Sequence, residues 1–289
     1  MHEEIRIKAN GIELAGWLFR PAGPGPHPLV VLSHGFSATL AMGLADYARV
    51  FRDAGLAALC YEHRNFGASG GEPRYEIDPW QQVADMREVI SHARTLPDID
   101  ATRIGLWGTS YAGGHVLTVA ALDRRVRCVV SQVPLVEGHA TLRAWIGEPH
   151  WDAMQQRFGE DRDARYRGEA PRVSRPARPG DQTWDWVVAI GAEQTYPNQI
   201  TQRSLELIAS YEPGSFIARI APTPLLMVLA TGDTQTPYAG QRAAFARAGQ
   251  PSSLVLLDGG HYDPYTTLFP AAAGAARDWF VGHLAGAER

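Results

Sequence analysis

The stretch RIGLWGTSYAGGHVLTVAAL, residues 103–122, decides how this chain is read. An apolar run from Ile104 to Trp107 stops at Gly108, and one hydroxyl, Ser110, follows among the very small residues Ala112, Gly113 and Gly114. A helical apolar pattern then begins at once. A strand that turns sharply into a helix leaves its corner residue projecting beyond the sheet. That corner needs unusual backbone angles, and the close approach of strand and helix excludes side chains nearby. Gly108 and Ala112, two before and two after the serine, meet that need. The pattern for such a corner is G-x-S-x-G; here the second small position is alanine.

Working outward, apolar runs alternate with helical patterns. The first twenty residues alternate around Asn10-Gly11, which reads as a β-hairpin. LVVLSHG is a short continuous strand of the buried parallel kind. A helical stretch near Met42 to Ala54 ends at Gly55, and LAALCYEH and a Gly/Ser-rich loop, RNFGASGGEPR, follow. Asp78 and Pro79 open a helix through Thr95 in the N-cap and first-turn manner. RCVVSQVPLV, PTPLLMVLATGD and SSLVLLDGGH are further strands, and Leu268 to Leu284 reads as a closing helix. Strands alternating with helices imply an α/β fold, with a mostly parallel central sheet covered by helices on both faces.

One region breaks the rhythm. Residues 137–217 hold helical fragments, a charged stretch and a Pro/Arg-rich connector, too long for a structureless loop in a compact domain. They are expected to form a helical cap inserted into a core made of residues 1–136 and 218–289.

Composition excludes several classes. The 289 residues are 45% hydrophobic and 20% charged, with net charge −4 and Lys8 the only lysine. No basic stripe tracks phosphates, so nucleic acid is not an expected partner. No apolar run reaches the roughly 18–20 residues of a membrane span, and the N-terminal MHEEIRIKANG lacks the apolar segment of a secretory signal. Cys60 and Cys128 lie in apolar runs, as small buried thiols do. A cytoplasmic protein without membrane association is expected, and a homodimer is left open. The sequence has no H-E-x-x-H and no paired C-x-x-C, and GASGG lacks the lysine of a phosphate loop; neither metal nor cofactor is expected.

A serine hydroxyl is a weak nucleophile and needs a base, which itself needs orienting. Asp233 follows the strand LLMVLAT and His261 follows LVLLDGG, both just past carboxyl ends of predicted strands, where open α/β sheets place their chemistry. The order Ser110, Asp233, His261 is that of one fold family rather than of the two protease orders. SHGF at 33–36, RNFGASGG at 64–71, GTSYAGG at 108–114, GDTQTP at 232–237 and GGH at 259–261 together resemble the α/β-hydrolases over nearly the whole chain. Within them the chain resembles small bacterial serine hydrolases of the dienelactone-hydrolase and X-Pro-dipeptidyl-peptidase-like groups.

The resemblance implies an oxyanion hole of two backbone N–H groups, on Phe36 and Tyr111, and acyl transfer in two steps through Ser110, His261 and Asp233. The acid has a rival in Glu137, which follows an earlier strand end; Asp258 and Asp263 stand too close to the histidine in sequence. His34 and His115 read as structural, and His139 as part of the cap. His63, on the rim, and Trp184 and Trp186, in the WDW pattern of the cap, are the expected substrate contacts. The expected activity is cleavage of an ester, thioester or amide of a small, apolar or aromatic molecule. Acyl transfer to another nucleophile, cyclisation by a thioesterase, C–C bond hydrolysis with the same triad, and a non-catalytic ligand-binding protein are the alternatives.

Overall fold

The computed structural model describes residues 2–285. Ten strands and nine α-helices succeed one another along them. The strands are β1 (Glu3–Ala9), β2 (Ile12–Phe19), β3 (His27–Ser33), β4 (Ala57–Tyr61), β5 (Ile99–Thr109), β6 (Val126–Gln132), β7 (Val173–Ser174), β8 (Ile200–Thr201), β9 (Leu225–Ala230) and β10 (Ser252–Leu257). The helices are α1 (Leu44–Asp53), α2 (Pro79–Ala93), α3 (Tyr111–Leu122), α4 (Gly138–Ile146), α5 (Trp151–Tyr166), α6 (Gln182–Ala189), α7 (Gln202–Ile208), α8 (Tyr238–Phe245) and α9 (Phe269–Phe280).

Eight strands form one sheet in the order β1-β2-β4-β3-β5-β6-β9-β10. The hairpin turns at Asn10-Gly11, both at positive φ, and pairs antiparallel to β4; the other pairings are parallel. From β3 the chain steps out to β4, then back across to β5. That reversal opens a crevice at the carboxyl ends of β3 and β5, the place where such sheets bind ligands. Strands covered on both faces carry no polar alternation. Along β9, Leu225, Met227 and Leu229 enter one core while Leu226 and Val228 enter the other. The first core is roofed by α2, α3 and α8, the second by α1 and α9.

Local chemistry accounts for the element ends. The Asp78 side chain accepts the N–H groups of Trp80 and Gln81, with Pro79 in the first turn, and α2 ends at Ala93, two residues before the Thr95 that the sequence suggested. β5 begins at Ile99, earlier than its apolar run, because Ile99 already pairs with His27 of β3, ahead of a register shift. The Gly/Ser loop after β4 is pinned by a buried pair: Arg64 grips both Asp85 carboxylate oxygens at 2.6 Å, and Asn10 donates to the same carboxylate.

Residues 138–208 between β6 and β9 carry α4 to α7 and the two-stranded β7–β8 ribbon. Two of the three arginines of α5 are answered by acids: Arg165 by Asp161 and Glu206, Arg162 by Glu206. Among the described residues no helix is long and apolar enough to cross a membrane, and no group of three or more His, Cys, Asp or Glu could hold a metal.

Helix α9 lies against bare backbone at Gly105 of β5, where an added Cβ would come within 2.9–3.0 Å of Phe280 and Leu284. Gly105→Ala is therefore expected to cost about 1–3 kcal/mol through overpacking, read as a lower urea midpoint. A midpoint equal to the parent's would show that this contact does not hold α9 in place.

Candidate active site

Ser110 sits at the corner between β5 and α3 with φ +55° and ψ −120°. Few non-glycine residues adopt positive φ, and strain of this kind persists only where the surroundings over-determine it. They do so here. The Ser110 N–H donates to the Gln132 carbonyl at 2.9 Å, and its own carbonyl accepts the N–H groups of Gly113 and Leu135 at 3.0 and 2.9 Å. A Cβ on Gly108 would run into the Ala112 carbonyl, and one on Gly113 would stand 2.8 Å from the Pro134 Cα. Small residues are thus required by the backbones that cross there.

The corner presents the hydroxyl to a histidine. His261 Nε2 lies 3.0 Å from Ser110 Oγ, and His261 Nδ1 lies 2.8 Å from Asp233 Oδ2. A carboxylate only accepts, so Nδ1 carries the hydrogen and Nε2 faces the serine as an acceptor. Asp233 is held in turn: its Oδ1 accepts the N–H groups of Gln235 and Thr236, and its Oδ2 accepts the Gln241 side-chain amide at 3.0 Å. Burial alone would raise the Asp233 pKa, but the facing His261 and the hydrogen bonds from His261 and Thr236 outweigh it and hold the carboxyl below its ordinary range. Glu137 lies elsewhere, its carboxylate packed toward Gly240 of α8. Asp258 takes a hydrogen bond from Thr231, and Asp263 accepts the Gly260 N–H at 2.7 Å, bracing the loop that carries His261.

Thr236 and Gln241 were not anticipated. The Thr236 hydroxyl stands 2.9 Å from both Asp233 Oδ2 and the Val133 carbonyl. Val133, at the end of β6, has φ +37°. The GDTQTP string contained Thr236; Gln241 reaches the carboxylate from α8 and left no local signal.

On the other side, Gly35 abuts Ser110: a Cβ there would be 3.0 Å from the Ser110 Cβ and 3.4 Å from its Oγ. Tyr111 opens α3, where N–H groups have no intrahelical acceptor, and the Phe36 N–H has no acceptor among the described residues. Their rings meet edge to face at 5.4 Å.

The histidines nearby are interior. His63, which the sequence placed on the rim, is 2% exposed and lies behind the turn that follows β3. Its ring lies between His34 at 4.3 Å and His115 at 5.7 Å. His34 donates from Nδ1 to the Gly35 carbonyl and accepts the His63 N–H at Nε2; His115 bonds Gln82 and Tyr211. The exposed His139 packs on Trp151.

Trp184 and Trp186 both pack against a cluster of Val187, Ala192 and Tyr196 over Ala38 and Met42. Trp186 also stacks on Tyr262 at 5.1 Å, next to His261. Hydrogen bonds join the segment between β6 and β9 to three loops around Ser110: Tyr196 to Ser37 at 3.0 Å, Thr183 to Tyr262 at 2.7 Å, and the Trp145 indole to the Gln235 carbonyl at 2.7 Å, with the Gln235 amide also donating to Gln182 at 3.5 Å.

Burial pushes His34 down to about 4 and His115 to about 3, and holds His63 well below its ordinary value. Folded, these histidines stay neutral; unfolded, they charge below about 6.5. Their contribution to stability is complete above that pH and is lost as pH falls toward the folded values. Glu62, which burial raises to about 7, runs the other way and stabilises most below its unfolded value. Between about pH 4.5 and 6.5 these four groups should together take up roughly two protons on unfolding, three histidines against one glutamate. The urea midpoint is expected to fall from about pH 7 to about pH 5, and equal midpoints would contradict it.

Residues 10–266 match the X-Pro dipeptidyl-peptidase (S15) family. The quorum-quenching protein AidA of Acinetobacter baumannii is 30% identical over 81% of this chain and 79% of its own length. A thiohydrolase of Eupenicillium brefeldianum is 29% identical over 88% and 85%. The crystal structure of the alpha/beta hydrolase GrgF from Penicillium sp. sh18 superposes with a TM-score of 0.87 at 26% identity, covering 99% of both chains. Of the two groups named from the motifs, the match is to the second: the chain belongs to the X-Pro dipeptidyl-peptidase (S15) family of α/β-hydrolases and is a hydrolase.

Proposed function

We propose that this hydrolase cleaves an ester or thioester of a small, largely apolar molecule through an acyl-enzyme on Ser110. The observation that carries the reading is the unbroken hydrogen-bonded line from Ser110 Oγ through the His261 ring to Asp233. The resemblance in name to a thiohydrolase supports a thioester among the substrates. The aromatic surfaces of Phe36, Tyr111, Trp145, Trp186 and Tyr262 favour an apolar or aromatic acyl compound.

In the first step Ser110 Oγ attacks the carbonyl while its proton passes to His261 Nε2, and Asp233 stabilises the resulting imidazolium. Negative charge grows on the carbonyl oxygen, toward the Phe36 and Tyr111 N–H groups. Donors preorganised in this way contribute roughly 2.7–4 kcal/mol each to the transition state. His261 then returns the proton to the leaving group. Water repeats the sequence on the acyl-enzyme, releasing the acid and restoring the serine.

A fluorophosphonate probe is expected to add once to the wild-type protein, on Ser110 by peptide mapping, and to leave His261→Ala unlabelled. No adduct on folded wild type would overturn the proposal. Asp233→Asn should lower kcat by about ten-thousand-fold, whereas Glu137→Gln should change little; the reverse pattern would move the acid to Glu137. Esters and thioesters should be turned over ahead of X-Pro amides. Adding an alcohol or amine during turnover should leave the free acid as the main product if water is the acceptor.

A further inference from the structure

His261 is carried on the loop that follows β10, and that loop is held from three sides. Asp263 closes it on itself by accepting the Gly260 N–H. From the segment between β6 and β9, Thr183 bonds the Tyr262 hydroxyl and Trp186 stacks on its ring. The third set of contacts reaches inward, to the strand ends that place Ser110, and the line from Ser110 to Asp233 makes no use of it.

Two tyrosine hydroxyls form this third set. The Tyr47 hydroxyl, from α1, stands 2.7 Å from the Pro264 carbonyl and 2.9 Å from Gln132 Oε1. Both are acceptors, so its one hydrogen is shared between them. The Tyr265 hydroxyl bonds Thr109 Oγ1. Thr109 Oγ1 also lies 3.3 Å from Gln132 Nε2 and 3.4 Å from the Gln132 carbonyl. With Thr109 donating to that carbonyl and accepting from Tyr265 and the amide, every hydrogen of this group has an acceptor.

The partners decide what the bonds do. Pro264 and Tyr265 come just after His261 in the chain, and Thr109 immediately precedes Ser110. Gln132 gives its carbonyl to the Ser110 N–H at 2.9 Å. Each tyrosine thus joins the segment carrying His261 to a residue that places Ser110. The anchor is rigid: Gln132 is fully buried, Tyr47 is 1% exposed, and the Tyr47 ring is packed among Phe51, Trp107 and Phe269. Burial raises both phenols, so they remain O–H donors.

We propose that Tyr47 and Tyr265 are positioning residues for the reaction: together they fix the His261 loop against the strand ends around Ser110, and so set where His261 Nε2 stands relative to Ser110 Oγ. The inference rests on the acyl-enzyme reading of Ser110. A base displaced by 1 Å through a change far from the chemistry can cost about a hundredfold in rate. The Tyr47 hydroxyl lies in the core under α1 and α9, away from any substrate, so its loss falls on kcat and not on KM.

The test compares wild type with Tyr47→Phe and Tyr265→Phe, which keep the rings. Labelling by a fluorophosphonate gives two readings: the final extent counts folded molecules, and the rate reports the geometry at Ser110. Each variant should reach the wild-type extent about tenfold more slowly. For p-nitrophenyl butyrate, kcat should fall to a similar degree at unchanged KM. His261 must also protonate the leaving group, which p-nitrophenolate hardly needs, so kcat/KM for ethyl butyrate should fall further. A smaller folded fraction would lower the labelled extent and both ester rates alike, without moving the labelling rate or the ratio of the esters. Tyr265→Phe leaves Thr109 its bonds to Gln132 and decides alone if Tyr47→Phe does not fold. A wild-type labelling rate and ester ratio in either folded variant, or a loss confined to KM, overturns the positioning role and leaves the acyl-enzyme standing. Wild-type protein that is never labelled and turns over neither ester overturns both.

Discussion

A chain turned against its own preference at Ser110 is the constraint on which the site depends. A residue held there costs about 1–3 kcal/mol, and the cost is offset by the bonds that fix it: one to Gln132, two from Gly113 and Leu135. The same bonds join α3 to the end of β6, so the corner, the helix and the neighbouring strand form one unit. Val133, the next strained residue, extends that unit to the acid loop through its carbonyl and Thr236. Ser110 and Asp233 are thus linked through Val133 and Thr236 as well as through His261.

Burial then determines what each polar group can be. Asp233 is deep enough that a carboxylate would be costly, and it remains one because N–H and amide donors converge on it opposite His261. His34, His63 and His115 are equally deep, and for them burial disfavours the charged imidazolium, so they stay neutral. Glu62 lies 3.6 Å from His34, but the geometry is not that of an ion pair. The facing His34 nitrogen is already accepting an N–H, and Glu62 is itself raised; its carboxyl serves to hold the Leu40 N–H.

What could be read beforehand was what a short window of sequence encodes. Asn10-Gly11 forces a hairpin, Asp78-Pro79 starts a helix, and G-T-S-Y-A-G marks a corner by the absence of side chains. Asp233 and His261 were legible because each follows an apolar strand at the sheet's carboxyl edge. The rest depends on distant pairings. Gln241 touches Asp233 from a separate helix, and Arg64 finds Asp85 across twenty residues. His63 ends a strand whose carboxyl edge faces the site, yet the turn after β3 folds over it. The WDW pattern does not say which indole meets the His261 loop: both pack on the cluster of Val187, Ala192 and Tyr196, and Trp186 also stacks on Tyr262.

The segment between β6 and β9 is hydrogen-bonded to three loops of the candidate site, on Ser37, Gln235 and Tyr262. Each contact lies one or two residues from a group assigned to the reaction: Phe36, Asp233 and His261. The segment is therefore braced by the very loops that carry those groups. On the proposed mechanism, lifting it to admit a bulkier molecule would slacken the groups that must act on that molecule, so breadth of substrate and speed of turnover would change together.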